Sequence, residues 1–148
     1  MDINQSLGII LVEDDIDDAV LTIQVLQKNK MVKNLVHLNN GKEALDFMFG
    51  EVEYLGRDLR NNPSSLLLDL KMPRMSGLEV LKIIKSDERT RSIPVSVLTA
   101  SKKNPDPVQC YMPGVNSYII KPIEYEVFSD TVTQIGFYWL SLNHPPVQ

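Results

Sequence analysis

The sequence lacks several features that would set a protein apart from the ordinary globular class. Its one cysteine, Cys110, has no second cysteine for an internal disulfide and is compatible with a reducing cytoplasm. Its longest apolar runs, such as Ile9–Val12, are far too short to cross a bilayer. Residues 1–6 contain no basic segment leading into an apolar stretch, so we expect no secretory signal. A formal charge of -4 argues against a nucleic-acid partner, because neutralising phosphates requires a basic surface.

What the chain does contain is typical of one globular domain. Its 148 residues suffice for a single hydrophobic core, and 43% of them are hydrophobic while 23% are charged. We therefore expect residues 1–148 to form one cytoplasmic domain that contacts neither membranes nor nucleic acid.

Short apolar runs alternate with amphipathic stretches along the chain, which is the pattern of βα units and a parallel sheet. Runs such as 66–68 are apolar at consecutive positions, as expected for strands that helices cover on both faces. We predict strands over 8–12, 33–38, 65–69, 94–98 and 116–120, with a long polar loop over 51–64. The predicted fold class is α/β, a flavodoxin-like doubly wound sheet of five parallel strands in the order 2-1-3-4-5.

The helices carry start signals of their own. Asp15 is placed to cap the first helix, and acidic residues follow it in the first turn, where the helix dipole favours them. Ser76 and Glu79 have the spacing of a capping box before another helix. The remaining helices are expected over Gly41–Phe49, from about 107, and over about 124–142.

Polar residues stand where four of the predicted strands end. Glu13 and Asp14 follow the first strand, Asp69 ends the third, Thr99 follows the fourth and Lys121 follows the fifth. The carboxyl ends of parallel strands lie at one edge of a doubly wound sheet, where ligands bind. We therefore expect these acids, the hydroxyl and the amine to converge on one pocket.

A cluster of carboxylates repels itself unless a cation sits among them, and Mg2+ prefers oxygen ligands. Glu13, Asp14 and Asp69 are the predicted metal ligands, joined by a backbone carbonyl at Lys71, and Mn2+ is an alternative ion. Phosphoryl transfer requires such a metal together with an oxygen nucleophile and donors for the phosphoryl oxygens.

Asp69 is the predicted nucleophile, because it stands alone at a strand end and aspartate forms covalent phosphoryl intermediates elsewhere. Lys121 would pair with one phosphoryl oxygen, and Thr99 would donate a hydrogen bond to another.

The stretch 69–77, which reads Asp-Leu-Lys-Met-Pro-Arg-Met-Ser-Gly, resembles the signature of response-regulator receiver domains. The acidic turn at 11–15, the turn at 98–101 and the segment 117–122 match the family's other landmarks in the same order. The resemblance to these chemotaxis-regulator-like domains covers about residues 7–135, which leaves a C-terminal helix and tail over about 136–148. Each motif alone is weak, but the ordered set of four is specific.

Within the family, the chain looks most like the small single-domain regulators of cyanobacterial and bacterial phytochromes. The segment 39–47, the long loop before the third strand and the aromatic tail at 137–140 carry this likeness. The resemblance implies that Asp69 accepts a phosphoryl group from a histidine kinase, expected to be a phytochrome, and that the output is protein contacts. It also implies that the protein is not an enzyme with turnover on a free substrate, and that it catalyses only its own phosphorylation and dephosphorylation.

The resemblance also implies a switch. Tyr118 matches the aromatic position that couples to the threonine, here Thr99, when a receiver domain is phosphorylated. Glu13 departs from the pattern, since many receivers have aspartate there, and its longer arm could reach the metal through water. Prolines at 105, 107 and 113 make the fourth helix unusual for the family.

The last predicted helix carries more apolar surface than one sheet face needs. Phe128, Val132, Ile135, Trp139 and Leu142 form a stripe at helical spacing, while Phe137, Tyr138 and Leu140 lie off it. Exposed aromatic residues of this kind mark partner surfaces. We expect a homodimer whose surface includes Tyr118, Phe137, Tyr138 and Trp139.

Two other function classes compete with this interpretation. A small Mg-dependent aspartyl-phosphate phosphatase or phosphotransferase would also use an aspartyl nucleophile, but it commonly has a second acid two residues later, where this chain has Lys71. A receiver-like binding module that never sees phosphate would normally lack one pocket residue, and none is missing here.

Overall fold

The structure, a computed structural model, describes residues 8–28, 34–59, 62–99, 115–120, 126 and 129–130. At Thr99 and over Val115–Ile120 it describes the backbone alone. The elements in chain order are β1 (Ile9–Val12), α1 (Ile16–Lys28), β2 (Leu35–Leu38), α2 (Gly41–Phe49), a 3-10 helix (Val52–Tyr54), β3 (Ser65–Asp69), α3 (Gly77–Ser86), β4 (Val95–Thr99) and β5 (Val115–Ile120).

The five strands form one parallel sheet in the order β2-β1-β3-β4-β5, which confirms the predicted fold class. In the centre of the sheet Val12 pairs with Leu38 on one side and with Leu68 on the other. Asp69 pairs with Leu98 of β4. The ends of β1, β3 and β4 therefore lie next to one another at a single edge.

Two apolar layers cover the sheet, one on each face. On the first face, side chains of β1, β3 and β4 pack against α2 and α3, through residues such as Ile10, Leu66, Phe47 and Leu81. On the second face, Ile9, Leu11, Leu67 and Leu98 pack against α1. Because both faces are covered, successive strand residues are all buried, and this explains the uninterrupted apolar runs of the sequence.

The predicted helix caps are present. The side chain of Asp15 accepts a hydrogen bond from Asp18 N at 3.0 Å, and Ser76 Oγ accepts one from Glu79 N at 3.3 Å. Asn40 caps α2 in the same way, accepting from Glu43 N at 2.8 Å. Such caps satisfy amide groups that the first helical turn leaves without partners.

The structure differs from the prediction in a few places. Thr99 is the last residue of β4 rather than the residue after it, and β2 begins at Leu35, two residues later than expected. The predicted polar loop over 51–64 contains a 3-10 helix, which the sequence pattern did not indicate. The predicted helix from about 107 lies outside the described residues, and of the predicted last helix only 126 and 129–130 are described, all of them helical. Within the described part of the chain, no helix combines the length and apolar character needed to span a bilayer.

Candidate functional site

Three carboxylates meet at the carboxyl edge of the sheet. Glu13 and Asp14 directly follow β1, and Asp69 ends the neighbouring strand β3. One oxygen from each side chain lies within 4.8 Å of the other two. Glu13 and Asp69 are buried, with 0% and 4% of their surface exposed, whereas Asp14 is exposed. The predicted convergence of these three acids is therefore present in the fold.

Backbone amides hold two of these carboxylates in place. Asp15 N donates to Glu13 Oε2 at 3.3 Å, and Lys71 N donates to Asp69 Oδ1 at 3.3 Å. Each bond joins a carboxylate to an amide two residues further along, so the turn after each strand fixes the side chain at the strand end. These bonds direct both side chains toward the edge at which the strands end.

His37 is a further residue at this edge, and no sequence motif indicates a role for it. It lies on β2 beside Leu11, and its Nε2 donates to the backbone carbonyl of Glu13 at 2.8 Å. Glu13 N in turn donates to Leu38 O at 3.0 Å. The turn that presents Glu13 and Asp14 is thus tied to β2 from both sides. Only the register between β1 and β2 reveals this contact, and the sequence alone does not supply that register.

Close backbone packing requires a glycine at position 77, the first residue of α3. A Cβ atom at this position would overlap the carbonyl oxygen of Asp69 and would lie 2.8 Å from Leu70 Cα. Gly77 N donates to Leu70 O at 3.0 Å, and Leu70 N donates to Leu98 O at 3.0 Å. Because no side chain intervenes, the start of α3 packs directly on the backbone that carries Asp69.

The three-carboxylate cluster fits a hard divalent cation. Its donors are all oxygen atoms, and they are close enough together to share one ion. Negative charges at this separation in a partly buried site repel each other strongly unless a cation is bound among them. Lys71, whose carbonyl was predicted as a further ligand, follows Asp69 by two residues and has an exposed side chain.

Several predicted site residues are not described as side chains. Thr99 and Tyr118 lie on β4 and β5, where the structure describes the backbone and not the side chains. The other predicted residues, which are Lys121, Phe137, Tyr138 and Trp139, lie outside the described part of the chain. Their roles remain predictions from the sequence.

Residues 9–133 match the family of the response regulator receiver domain. The chain belongs to the response-regulator receiver family. This assignment confirms the resemblance found in the sequence, and it makes the protein a member of a signalling family rather than a catalytic one. In receiver domains a divalent metal binds at an acidic cluster of the kind that Glu13, Asp14 and Asp69 form here.

The relatives include regulators from different signalling contexts. The chain is 41% identical over 138 residues to the probable methanogenesis regulatory protein FilR2 of Methanothrix harundinacea, covering 93% of this chain and 86% of that protein. Among solved structures it is similar to the Mn(2+)-bound form of response regulator Rcp1, with a TM-score of 0.82 and 33% identity over 95% of this chain and 99% of that one.

A second solved structure is that of the phosphorylated cyanobacterial phytochrome response regulator RcpA. The likeness has a TM-score of 0.83 and 34% identity, and it covers 96% of this chain and 99% of RcpA. These matches confirm that phytochrome response regulators are among the relatives of this receiver domain.

Proposed function

We propose that this receiver domain accepts a phosphoryl group on Asp69 from a histidine kinase in a cytoplasmic phosphorelay, and that it signals through protein contacts. The observation that carries the proposal is the meeting of Glu13, Asp14 and Asp69 at one edge of the sheet. Asp69 is the acceptor in this proposal because it ends a central strand and the Lys71 amide orients its carboxylate.

In the proposed reaction, an oxygen of Asp69 forms a bond to phosphorus while the bond from phosphorus to the donor's histidine nitrogen breaks. Glu13, Asp14 and the Lys71 carbonyl, with Asp69, would hold Mg2+ or Mn2+, which offsets the negative charge of the phosphoryl oxygens when it is bound. Lys121 and Thr99 are the proposed donors to those oxygens.

The proposed output is a change at the β4–β5 edge of the sheet. Phosphorylation adds roughly 1.5 to 2 negative charges near neutral pH. Drawing the Thr99 hydroxyl toward this charge would vacate space for the Tyr118 ring, a coupling of the kind that shifts equilibria by about 1–3 kcal/mol. The adjacency of β4 and β5, with Thr99 opposite Ile120, supports this part of the proposal.

Intact-mass measurement tests the acceptor. The protein is incubated with acetyl phosphate and Mg2+, and we expect one added phosphoryl group in the wild type, none in Asp69→Asn, and none without a divalent ion. Asp17→Asn is the matched control, because Asp17 is an exposed acid on α1 outside the carboxylate cluster, and it should leave labelling unchanged. Equal labelling of wild type and Asp69→Asn would show that the acceptor has been assigned wrongly.

The proposed kinase is a phytochrome, supported by the likeness to RcpA. The likeness to FilR2 supports a different input to the same phosphoryl transfer. The proposed docking surface for the kinase includes Ile16 and Val20, because they are 71% and 47% exposed, lie one helical turn apart on α1, and closely follow the Glu13–Asp14 turn.

A variant of α1 tests that docking surface. Ile16→Ser should slow transfer from a phosphorylated phytochrome kinase by about tenfold, since it removes apolar contact from the proposed interface, and leave labelling by acetyl phosphate unchanged. Unchanged transfer from a kinase that phosphorylates the wild type would remove Ile16 from the interface.

We also propose that the domain forms a homodimer through a surface that includes Tyr118, Phe137, Tyr138 and Trp139. The support is the excess of apolar residues in the C-terminal sequence. Equilibrium sedimentation of the full chain should give a dimer mass at micromolar concentration, and a form ending near residue 134 should give a monomer. Monomer masses for both would contradict the dimer.

A further inference from the structure

A cavity of about 730 Å3 lies beside the three carboxylates, between the loops that follow β1, β2 and β3. Asp14 belongs both to the wall of this cavity and to the carboxylate cluster. The cavity lies where the sheet order changes direction, since β2 is on one side of β1 and β3 is on the other. Ligands of open α/β sheets bind at such switch points, and small-molecule sites have volumes of roughly 300–1,000 Å3.

The walls of this cavity combine apolar surface with two cations and the carboxylate of Asp14. Pro73 and half-buried Met75 provide apolar contacts, while Lys42 and Arg74 provide positive charge. Gly41 allows the loops to meet here, because a Cβ at that position would lie 3.0 Å from Met75 O. An apolar wall with a few charged groups suits a small organic anion.

The two cations differ in their availability. Lys42 Nζ lies 2.9 Å from Asp46 Oδ2 in an ion pair on α2, so its charge is already opposed. Arg74 is exposed, and the structure records no hydrogen bond or ion pair between its side chain and the other residues that it describes. Arg74 is therefore the cation with which an incoming anion would pair.

The backbone of Arg74 adds a second indication. Its φ is 68°, in the left-handed region that glycine and asparagine adopt more easily than arginine. The turn conformation therefore does not favour arginine at this position. A strained residue beside a functional site supports the hypothesis that the residue has a function there. Here the side chain borders the cavity next to the carboxylates.

We propose that this cavity binds the acyl group of a small-molecule phosphoryl donor, an acyl phosphate with an apolar group larger than acetyl. The inference rests on the proposed phosphorylation of Asp69. An Asp69 oxygen forms the new bond to phosphorus, the bond from phosphorus to the acyl oxygen breaks, and its electron pair leaves with the carboxylate. The leaving group needs no proton, and its developing negative charge is opposed by the Arg74 guanidinium.

The nature of the leaving group makes this proposal specific. A phosphoramidate donor releases a nitrogen base, which must gain a proton and develops no negative charge. A guanidinium ion at Arg74 does not assist that departure. Arg74 should therefore act on acyl phosphates and not on phosphoramidate, and the apolar wall at Pro73 and Met75 should favour a donor with a larger apolar group.

The test compares benzoyl phosphate, acetyl phosphate and phosphoramidate as donors, each with Mg2+, using the second-order rate constant of Asp69 labelling from intact mass. In the wild type, benzoyl phosphate should react about tenfold faster than acetyl phosphate. Arg74→Gly should lower both acyl-phosphate rates about tenfold and leave the phosphoramidate rate unchanged. This variant relieves the left-handed backbone, so it should fold at least as stably as the wild type.

Lys82→Ala is the matched control, because it removes one exposed cation from α3 outside the cavity wall. It should change none of the three rates. Benzoate, the released product, should competitively inhibit labelling by benzoyl phosphate in the wild type and inhibit Arg74→Gly at least tenfold less.

Equal rates for the two acyl phosphates in the wild type, or unchanged acyl-phosphate rates in Arg74→Gly, would overturn this inference and leave the proposed function standing. Failure of all three donors to label Asp69 would overturn the inference and the proposed function together.

Discussion

Two irregular connections in this domain are held in place by different means. The β3–α3 connection, residues 70–76, directly follows Asp69 and is stabilised by hydrogen bonds of its own backbone. Leu70 N donates to Leu98 O, Gly77 N donates to Leu70 O, and Met75 N donates to Pro73 O at 2.8 Å. The side chains of Lys71 and Arg74 are not needed for this and are exposed.

The α2–β3 connection, residues 50–64, is instead tied to the C-terminal end of α2 by a buried side chain, that of Arg57. Arg57 is 5% exposed, and it donates through Nε to Phe47 O at 2.6 Å and through Nη2 to Met48 O at 3.1 Å. Its guanidinium carbon lies 4.5 Å from the centroid of the Phe47 ring. Burial lowers the pKa of the Arg57 guanidinium from its ordinary value, as expected for a cation withdrawn from water.

The difference between the two connections shows how stability and chemistry are separated in this fold. A connection that is stabilised by its backbone leaves its charged side chains available to a ligand. The charged side chain of Arg57, in contrast, donates hydrogen bonds to the last carbonyls of α2. Changes that displace the backbone of the first connection should therefore affect metal binding and phosphorylation as well as stability. Changes in the second should affect stability alone.

The largest effect is expected from Gly77→Ala. The new Cβ would overlap the carbonyl oxygen of Asp69, and backbone cannot move aside as a side chain can, so we expect the free energy of unfolding to fall by about 3 kcal/mol. Mn2+ affinity should fall too, because the backbone of Asp69 must shift. Urea unfolding followed by circular dichroism measures the first quantity.

Gly56→Ala is the control for this prediction. Gly56 has a φ of 92° and no neighbouring heavy atom within 4 Å of an added Cβ. Alanine there should cost only about 1 kcal/mol, from the backbone alone. A cost for Gly77→Ala no larger than that for Gly56→Ala would contradict the proposed backbone packing.

A smaller effect is expected from Arg57→Met, which keeps much of the side-chain volume but removes both hydrogen bonds. The carbonyls of Phe47 and Met48 would lose these donors, and we expect the free energy of unfolding to fall by about 2 kcal/mol. The Mn2+ dissociation constant should not change. A large loss of Mn2+ affinity in this variant would contradict the claim that the α2–β3 connection affects stability and not metal binding.

Arg89→Met provides the comparison for Arg57. The guanidinium of Arg89 lies over the Phe49 ring at 4.8 Å and pairs with Asp87, but it is exposed, so its removal should lower the free energy of unfolding by less than the removal of Arg57 does.

The smallest effect concerns the connection between α3 and β4, where Asp87 accepts hydrogen bonds from Arg89. The side chain and then the backbone amide of Arg89 lower the pKa of Asp87 from 3.8 to about 2. Because the pKa is lower in the folded state, Asp87 stabilises the fold above about pH 4, and this contribution is lost as the pH falls toward 2. Asp87→Asn should flatten the stability profile over that interval, as measured by urea unfolding at each pH. A profile identical to that of the wild type would exclude this contribution.

Much of the fold could be predicted from the sequence because its signals are local. Consecutive apolar residues marked the buried strands, capping residues marked the helix starts, and the acids at 13, 14 and 69 stood at strand ends. The topology then required those acids to meet. The cluster followed from strand order and not from any single motif.

Other features depend on contacts that no local pattern contains. Arg57 lies in a polar stretch and looks like a solvated residue, yet its partners are carbonyls nine and ten residues earlier in the chain. The contact of His37 with Glu13 follows from the register of two strands. Val52 has a φ of 53°, which its β-branched side chain disfavours and which no local sequence pattern predicts.

The central claim is that Glu13, Asp14 and Asp69 bind one divalent cation together. Mn2+ titration followed by electron paramagnetic resonance tests it on purified protein without any phosphoryl donor. We predict one bound ion in the wild type, an affinity at least about tenfold weaker in each of Glu13→Gln, Asp14→Asn and Asp69→Asn, and no change in Asp17→Asn, an exposed acid on α1. Wild-type affinity in all three site variants would contradict the claim.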